Sequence, residues 1–257
     1  MKPGTLYLIP CPIGDSAPFE VLPAANFEVM RGLDYFIVEN VRSARRFLSQ
    51  AGVASGSVAA AKTASEVSVA AIPTEVRAMD DIEFVELNEH TRPEEIAAML
   101  APLLQGRDAG VISEAGVPAV ADPGADLVAA AHRNNIIVRP LVGPSSILLA
   151  LMASGANGQS FAFNGYLPAK NPDLARMIRH FERRAHSERQ SQIFIETPYR
   201  NVRLFSELLS VCLPETRLTV AVDISVSGEF IRTFSVAEWR RISAPNLDKR
   251  PAIFIIS

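Results

Sequence analysis

The sequence predicts an α/β protein of two domains, and three observations carry that prediction. A chain of 257 residues that is 48% hydrophobic can fill either one large core or two cores of roughly 100 to 150 residues each, of which two are expected. Short β-branched or aromatic runs alternate with segments of helical period, the pattern of a largely parallel sheet with crossover helices. Loops of Pro, Gly and small residues follow several of the strand-like runs. We place the domains at residues 1–117, with a mostly parallel sheet, and 118–257, with a mixed sheet.

Strands are expected at Thr5–Ile9, Tyr35–Val38, Phe84–Leu87 and Ala109–Ile112. A helix follows Thr91, read as its N-cap, with Pro93 in the first turn and Glu94 at the capping-box position; Ile96, Met99, Leu100, Leu103 and Leu104 form one stripe, and Gly106 ends it. Residues Ala51 to Asp81, rich in Ala, Ser and Val, keep neither period. A further helix follows Asp122-Pro123-Gly124, near the junction. A second α/β pattern begins at Ile136: a strand to Leu141, the turn Val142-Gly143-Pro144, then a helix from Ser145 or Ser146 to Gly155. Ile193–Ile195, Leu218–Val222 and Ala252–Ile256 complete the expected strands.

Composition excludes several classes. Apolar runs such as Leu6 to Ile9, Ile147 to Met152 and Ile253 to Ile256 fall far below the ~20 residues of a spanning helix. The start, Met1-Lys2-Pro3-Gly4-Thr5, has no long apolar region behind it, so a cytoplasmic protein is expected. Cys11 and Cys212 are far apart and lack neighbouring ligands at zinc spacing, which points to reduced thiols and no metal. The formal charge of −3 removes a globally basic surface, so a nucleic-acid site has to be local. Lys170 to Arg203 is the local basic candidate, or else a solvated helix face with i,i+4 pairs. No Gly-x-Ser-x-Gly nucleophile elbow occurs.

Ligands of open α/β sheets bind beyond the carboxyl ends of strands, and four loops are placed there. Pro10-Cys11-Pro12-Ile13-Gly14-Asp15 is a stiffened turn whose Gly14 permits close approach. The loop from Ser113 to Gly124 is unusually long for a strand-to-helix connection. Its small side chains expose backbone polar groups to a ligand with an amino-acid moiety and a flat base, a description that S-adenosylmethionine fits. It has neither Gly-x-Gly-x-x-Gly nor a Walker Lys. The alternative is a junction loop in which Asp122 caps the next helix. Gly143-Pro144-Ser145-Ser146 opens a helix whose N–H groups suit a carboxylate, or is simply the start of a core helix. Glu196-Thr197-Pro198-Tyr199-Arg200 brings together a carboxylate, an aromatic ring and an Arg. Between a strand and a helix, Asn88-Glu89-His90-Thr91 offers Glu89 or His90 to a substrate, or is a solvent-facing turn. His132 and His180 fall in helical stretches and read as surface residues.

In their order along the chain these segments resemble the tetrapyrrole methylase superfamily, and within it the bacterial 16S ribosomal RNA 2′-O-methyltransferases that modify a cytidine ribose at the decoding centre. Leu8-Ile9-Pro10-Cys11-Pro12-Ile13-Gly14-Asp15 is similar to that subfamily's Thr-Pro-Ile-Gly-Asn loop, and Val38-Glu39-Asn40-Val41-Arg42 to its Glu-Asp-Thr-Arg segment. Asn88-Glu89-His90-Thr91 is similar to its His-Glu-His-Asn turn, and Ser113-Glu114-Ala115-Gly116-Val117-Pro118 with Asp122-Pro123-Gly124 to its Ser-Asp-Ala-Gly-Thr-Pro and Asp-Pro-Gly elements. Gly143-Pro144-Ser145-Ser146, Gly165-Tyr166-Leu167-Pro168-Ala169-Lys170 and Glu196-Thr197-Pro198-Tyr199-Arg200 match further signatures. The sequence departs from the pattern at Glu114, at Asn40-Val41 and at Asn88.

The resemblance implies two α/β domains with S-adenosylmethionine in the cleft between them, usually in a homodimer. Carried over residue by residue, the donor meets Pro10, Ala115, Gly116, Val117, Val120, Ser145 and Ser146, with Glu196, Ala221, Ile224 and Pro251 as further contacts. Methyl transfer is an in-line displacement that mainly requires alignment and exclusion of water. For a ribose hydroxyl, Glu39, Glu89, His90 and Lys170 are the candidate bases. Arg42, Arg45, Arg46 and Arg200 are candidates for holding phosphates of ribosomal RNA, or are ordinary surface charges. Two alternatives remain at this point: a methylase of a tetrapyrrole or other small molecule, and a non-catalytic protein that binds S-adenosylmethionine.

Overall fold

The computed structural model describes residues 2–55, 77–88 and 90–257. Most of the segment 51–81, and Glu89, lie outside these described residues. The chain divides into two compact units, Met1–Pro144 and Ser145–Ser257.

The first unit contains, in order, β1 (Thr5–Ile9), α1 (Pro18–Val21), α2 (Ala24–Arg31), β2 (Tyr35–Val38), α3 (Val41–Gln50), β3 (Ala54–Ser55), β4 (Arg77–Ala78), β5 (Glu83–Glu86), α4 (Pro93–Leu104), β6 (Ala109–Ile112), α5 (Ala125–Arg133) and β7 (Ile137–Pro140). Its main sheet has the order β5-β2-β6-β1-β7, and every pairing is parallel. The interior strands β2 and β6 are buried at all positions, which is why they read in sequence as continuous apolar runs. Helices cover both faces. Phe27 and Met30 of α2 and Phe47 and Leu48 of α3 pack against Ile9, Phe36, Val38 and Ile112. On the other face, Ile96, Met99, Leu100 and Leu103 of α4 and Leu127, Ala130 and Ala131 of α5 meet Leu6, Tyr35, Ile37 and Val111.

The break between units falls at Pro144 and not after residue 117, because α5 and β7 complete the first sheet: Thr5, Leu6, Tyr7 and Leu8 pair with Ile137 to Pro140. The α/β pattern beginning at Ile136 therefore opens with the last strand of the first unit. Two further details differ from expectation. The N-cap of α4 is Arg92, and Glu95, not Glu94, closes the capping box by accepting from the Arg92 N–H at 2.7 Å. Thr91 instead accepts from the N–H of Asn88 at 2.9 Å, holding the turn before the helix. Leu104, at the end of the stripe, is 44% exposed.

The second unit contains α6 (Ser146–Ser154), β8 (Phe161–Tyr166), α7 (Asp173–Glu188), β9 (Ser191–Ile195), α8 (Asn201–Val211), β10 (Arg217–Val222), β11 (Phe230–Ser235), α9 (Val236–Trp239) and β12 (Ala252–Ile256). The sheet order is β11-β10-β12-β9-β8, antiparallel except for the β8–β9 pair. Period-2 alternation sorts β12: Ala252, Phe254 and Ile256 face the cluster built with α7, α8 and α9, whereas Ile253 and Ile255 face α6. The basic stretch is largely a solvated helix face, with Arg176 paired to Asp173 at 2.8 Å and Arg184 to Glu188 at 3.1 Å on α7. No described helix is long and apolar enough to cross a membrane.

Gly143 shows how the first unit constrains its turns. A Cβ there would lie 2.2 Å from Cγ and 2.3 Å from Cβ of Pro10, a rigid ring with no room to yield. Gly143→Ala is expected to destabilise the unit by ~1–3 kcal/mol through overpacking, read as a lower urea midpoint at unchanged slope.

Candidate functional site

In the first unit, the loops after β1 and β6 are tied to each other. Cys11 N–H donates to Gly116 O at 2.8 Å and Gly116 N–H donates to Cys11 O at 3.1 Å. Gly116 has φ of +68°, so its place in this bridge requires the left-handed region that glycine enters freely. Ala119 (φ +65°) and Ala121 (φ +63°) hold the same region with a Cβ, a strained backbone of the kind that concentrates at ligand sites. Of the expected donor residues here, Pro10 and Gly116 are buried, Val117 is half-buried, and Ala115 and Val120 are exposed. The bridge brings Pro10 and Gly116 close in space although 105 residues separate Cys11 and Gly116 in sequence.

Beside this bridge lies a cavity of about 190 Å³, lined among others by Cys11, Asp15, Ser43, Arg46, Ser113 and Glu114. Glu114 of its lining belongs to a group of three neighbouring carboxylates. Glu39, at the end of β2, accepts from the Glu114 N–H at 3.2 Å. Glu114 accepts from Ser43 Oγ at 3.0 Å. Asp122 is half-buried, and burial, followed by the charge of Glu39 and then of Glu114, pushes its carboxyl up to about 6, with the nearby Ser113 hydroxyl opposing the rise. Burial and two neighbouring charges, Glu114 and Asp122, push the Cys11 thiol up to about 12, which keeps it a neutral packing group. Asp122 is not the cap of α5, as a plain junction loop would require: the N-cap is Gly124, with φ of +133°.

The raised acid of Asp122 has a stability consequence. Its folded value near 6 lies above the ordinary 3.8, so the penalty for ionising it is absent below pH ~4, grows as pH rises through the interval to ~6, and is complete above that. Asp122→Asn removes the penalty. The variant is expected to gain on the order of 1 kcal/mol relative to the parent between pH 4 and pH 8, a figure reduced for the screening of a half-exposed group. Urea titrations at the two pH values measure it, and an equal difference at both would contradict the assignment.

The other candidates distribute unevenly. Glu39 belongs to the acidic group just described. Glu89 lies outside the described residues, and His90 is exposed, its N–H bonded to Asn88 Oδ1 at 2.9 Å. Among the α3 arginines, Arg46 lines the cavity. Arg45 sits over the Phe84 ring at 5.4 Å with a loose 3.9 Å pair to Asp80, and Arg42 is exposed in the first turn.

In the second unit, Ser145 and Ser146 begin α6, and Ser145 makes no side-chain cap. Ala221 and Ile224 lie in the cluster under that helix with Ile147, Ala150, Leu151 and Ile253. Pro251 O accepts from Asp223 N–H at 3.1 Å, so Ala221, Ile224 and Pro251 gather at one end of β10 and β12. Ile224 is flanked by Asp223 (φ +48°) and Ser225 (φ +66°), a second strained turn. Ala221 is fully buried, which leaves only its backbone for any ligand. Glu196 is buried and committed: Thr197 N–H and Arg200 donate to its Oε1 at 2.6 Å and 2.6 to 2.9 Å. Arg200 thus balances Glu196 before it meets any phosphate. Lys170 is exposed just before α7. Ser113 and Ser43, which line the cavity, do not stand out in the sequence as site residues; nothing in a Ser distinguishes a cavity wall from a cap.

No family model matches the chain. Curated relatives align over nearly all of it. The chain is 27% identical over 233 residues to a protein of Vibrio cholerae named ribosomal RNA small subunit methyltransferase I, an alignment that covers 91% of this chain and 69% of the relative. It is 29% identical over 238 residues to the protein of the same name from Pseudomonas aeruginosa, covering 93% and 72%. Among solved structures, a cobalt precorrin-4 methyltransferase of cobalamin biosynthesis superposes with a TM-score of 0.57 at 12% identity, over 98% of this chain and 94% of that one. A uroporphyrin-III C-methyltransferase from Thermus thermophilus superposes with a TM-score of 0.54 at 18% identity, over 99% and 94%.

Proposed function

We propose that the chain, which shares its fold with tetrapyrrole methyltransferases and aligns with proteins named ribosomal RNA small subunit methyltransferase I, transfers a methyl group from S-adenosylmethionine to a ribose 2′-hydroxyl in RNA of the small ribosomal subunit. The observation that carries this reading is the bridge between Cys11 and Gly116, which holds two of the expected donor loops together in a strained, small-residue backbone. Such a backbone fits the donor, because exposed peptide groups suit the amino-acid and adenine edges of that molecule. Once bound, the sulfonium supplies an activated methyl group. The protein's part is to orient the acceptor and exclude water.

We assign donor contacts in the first unit to Pro10, Ala115, Gly116, Val117 and Val120. Within the second unit, Ser145, Ser146, Ile224, Pro251 and the backbone of Ala221 form a separate group that supports the same role, with Glu196 acting through its hold on Arg200. The name shared by the aligned relatives supports the RNA acceptor, and Arg46 at the cavity supports a phosphate-bearing substrate. The same resemblance supports a cytoplasmic homodimer, which sedimentation of the purified protein tests. The fold neighbours favour a second reading, a tetrapyrrole acceptor.

Calorimetric titration with S-adenosylmethionine, followed by tritiated methyl transfer to small ribosomal subunits from cells lacking this chain, tests the proposal. Label in RNA that appears as a 2′-O-methylated nucleoside supports it. Label that appears instead in uroporphyrinogen replaces the RNA reading, and absence of donor binding removes both.

A further inference from the structure

We propose that the outward face of α7, centred on Arg179 and Arg183, is a docking surface for the phosphate backbone of ribosomal RNA, made of residues other than those assigned to the donor. This rests on the RNA acceptor proposed above and adds the surface that would hold the RNA. By charge the two units are opposite. Residues 1–144 hold 11 basic and 18 acidic residues, a formal −7, whereas residues 145–257 hold 14 and 10, a formal +4. The whole excess lies in Lys170 to Arg203, where eight basic residues stand against four acidic ones. An acidic chain that gathers its positive charge in one short stretch has the local footprint of a polyanion site.

The four acids of that stretch are all spoken for. Glu182 is buried and accepts from the Leu213 N–H at 2.7 Å and from the Thr216 hydroxyl. Glu196 holds Arg200, Asp173 pairs with Arg176, and Glu188 pairs with Arg184. Arg179, Arg183, Arg189 and Arg203 remain exposed and form no ion pair among the described residues. Arg176, Arg179 and Arg183 follow one another at i, i+3 and i+7, on the side of α7 opposite its buried Leu174, Ile178 and Ala185. Like charges at i,i+4, as at Arg179 and Arg183, cost helix stability. Arg179 also sits mid-helix, where the helix dipole does not reward a cation. An anion laid across the stripe removes that cost. The stripe runs ~10 Å along the axis, the rise over which one strand of a duplex presents roughly three phosphates. Seven of the eight basic residues are arginine, whose planar fork binds phosphate through two parallel hydrogen bonds. The apolar face of α7 is committed to the core, which leaves no side to sink into a bilayer and favours RNA over a lipid surface.

The test measures binding of the protein to small ribosomal subunits from cells lacking this chain, across a series of salt concentrations. Variants are Arg179→Ala with Arg183→Ala, the same pair changed to Lys, and Arg133→Ala with Arg139→Ala. The last pair removes equal charge from exposed positions of the first unit. The first variant is expected to bind subunits ~10-fold or more weakly, with the slope of log Kd against log salt reduced by roughly 1.5. Its KM for subunits should rise by the same factor, with the Kd for S-adenosylmethionine within about twofold of the parent. The lysine pair should recover most of the slope and part of the affinity, and the Arg133 and Arg139 pair should match the parent. Unchanged affinity and slope in the first variant, while the parent methylates the subunits, overturns this inference and leaves the proposed function intact. An equal loss in the Arg133 and Arg139 pair overturns it too, since net charge and not this face then governs binding. Equal subunit binding by parent and first variant, with only the parent held by phosphatidylserine vesicles, assigns the face to a membrane instead. A parent that binds S-adenosylmethionine but neither binds nor methylates subunits fails the proposed function itself, and this inference falls with it.

Discussion

Gly116→Val is expected to weaken S-adenosylmethionine binding by ~100-fold or more, about 2.7 kcal/mol. The expectation rests on two independent strains at one residue. At φ of +68° a β-branched side chain is a genuine outlier, so valine pulls the backbone away from the conformation that holds both hydrogen bonds to Cys11. The branch also occupies space that we assign to the donor. Alanine separates the two effects. A Cβ here meets Pro144 O at 3.6 Å and Ile13 Cγ1 at 3.9 Å, ordinary contacts, so Gly116→Ala carries only the left-handed penalty of ~1–2 kcal/mol. It should lose affinity by ~10-fold or less. Calorimetry on both variants, with urea unfolding as control, measures the difference. Unchanged affinity in Gly116→Val would remove the loop after β6 from the donor site.

The largest stability effect is expected at Trp239, the single tryptophan of the chain. It is 2% exposed, its Nε1–H donates to Leu218 O at 2.8 Å, and the rings of Phe205 and Phe234 meet it edge-on at 5.4 Å and 5.0 Å. Trp239→Ala is expected to cost the second unit ~3–5 kcal/mol, a large share of the ~5–15 kcal/mol that holds a typical domain. Trp239→Phe keeps an aromatic partner for both rings and should cost distinctly less. Since the substitution removes the fluorescent reporter, circular dichroism in urea is the measurement. A loss below ~1 kcal/mol for the alanine variant would show that this cluster does not anchor α8, α9 and β10 together.

Legibility in the sequence tracks local physics. Strands β1, β2, β6 and β12 are readable to the residue because four or five apolar residues in a row, bounded by turn residues, have few other uses. Strand β5 is readable with a shift of one residue, since its edge position leaves the outward Glu83 and Glu86 polar. Strand β8, Phe-Ala-Phe-Asn-Gly-Tyr, escapes a sequence reading: it lies at a sheet edge, and its Asn164 and Gly165 resemble a turn. Strand β11 escapes as well, carrying Arg232 and Thr233 in its middle. Helices α2 and α3 are short and rich in polar or charged residues, so their apolar faces of two or three residues fall below what period alone can detect. The expected break after residue 117 reflects a different limit. Sequence order groups Ile137 to Pro140 with the strands and helices of the second unit, but their pairing with Thr5 to Leu8 is a contact across more than 130 residues that no local window contains.

The candidate site shows the same division. Its loops are legible, because runs of small residues after strands are rare without a ligand to serve. Its chemistry is less so. The state of Asp122 depends on Glu39 arriving from another segment beside Glu114 of its own loop, and the commitment of Glu196 to Arg200 depends on the turn at Pro198. Both are consequences of tertiary placement, which leaves no mark on the residues themselves.

The place of β12 bears on how the protein is made. Residues 252–256 lie between β10 and β9 in the second sheet, although every other strand of that sheet is synthesised before them. Until they emerge from the ribosome, β11-β10 and β9-β8 are two separate ribbons, each with an unpaired inner edge of the kind that invites pairing with other chains. The nascent second unit is thus exposed longest at what becomes its most buried seam, and a protein proposed to mature ribosomes depends on the ribosome releasing β12 before its own second sheet can close.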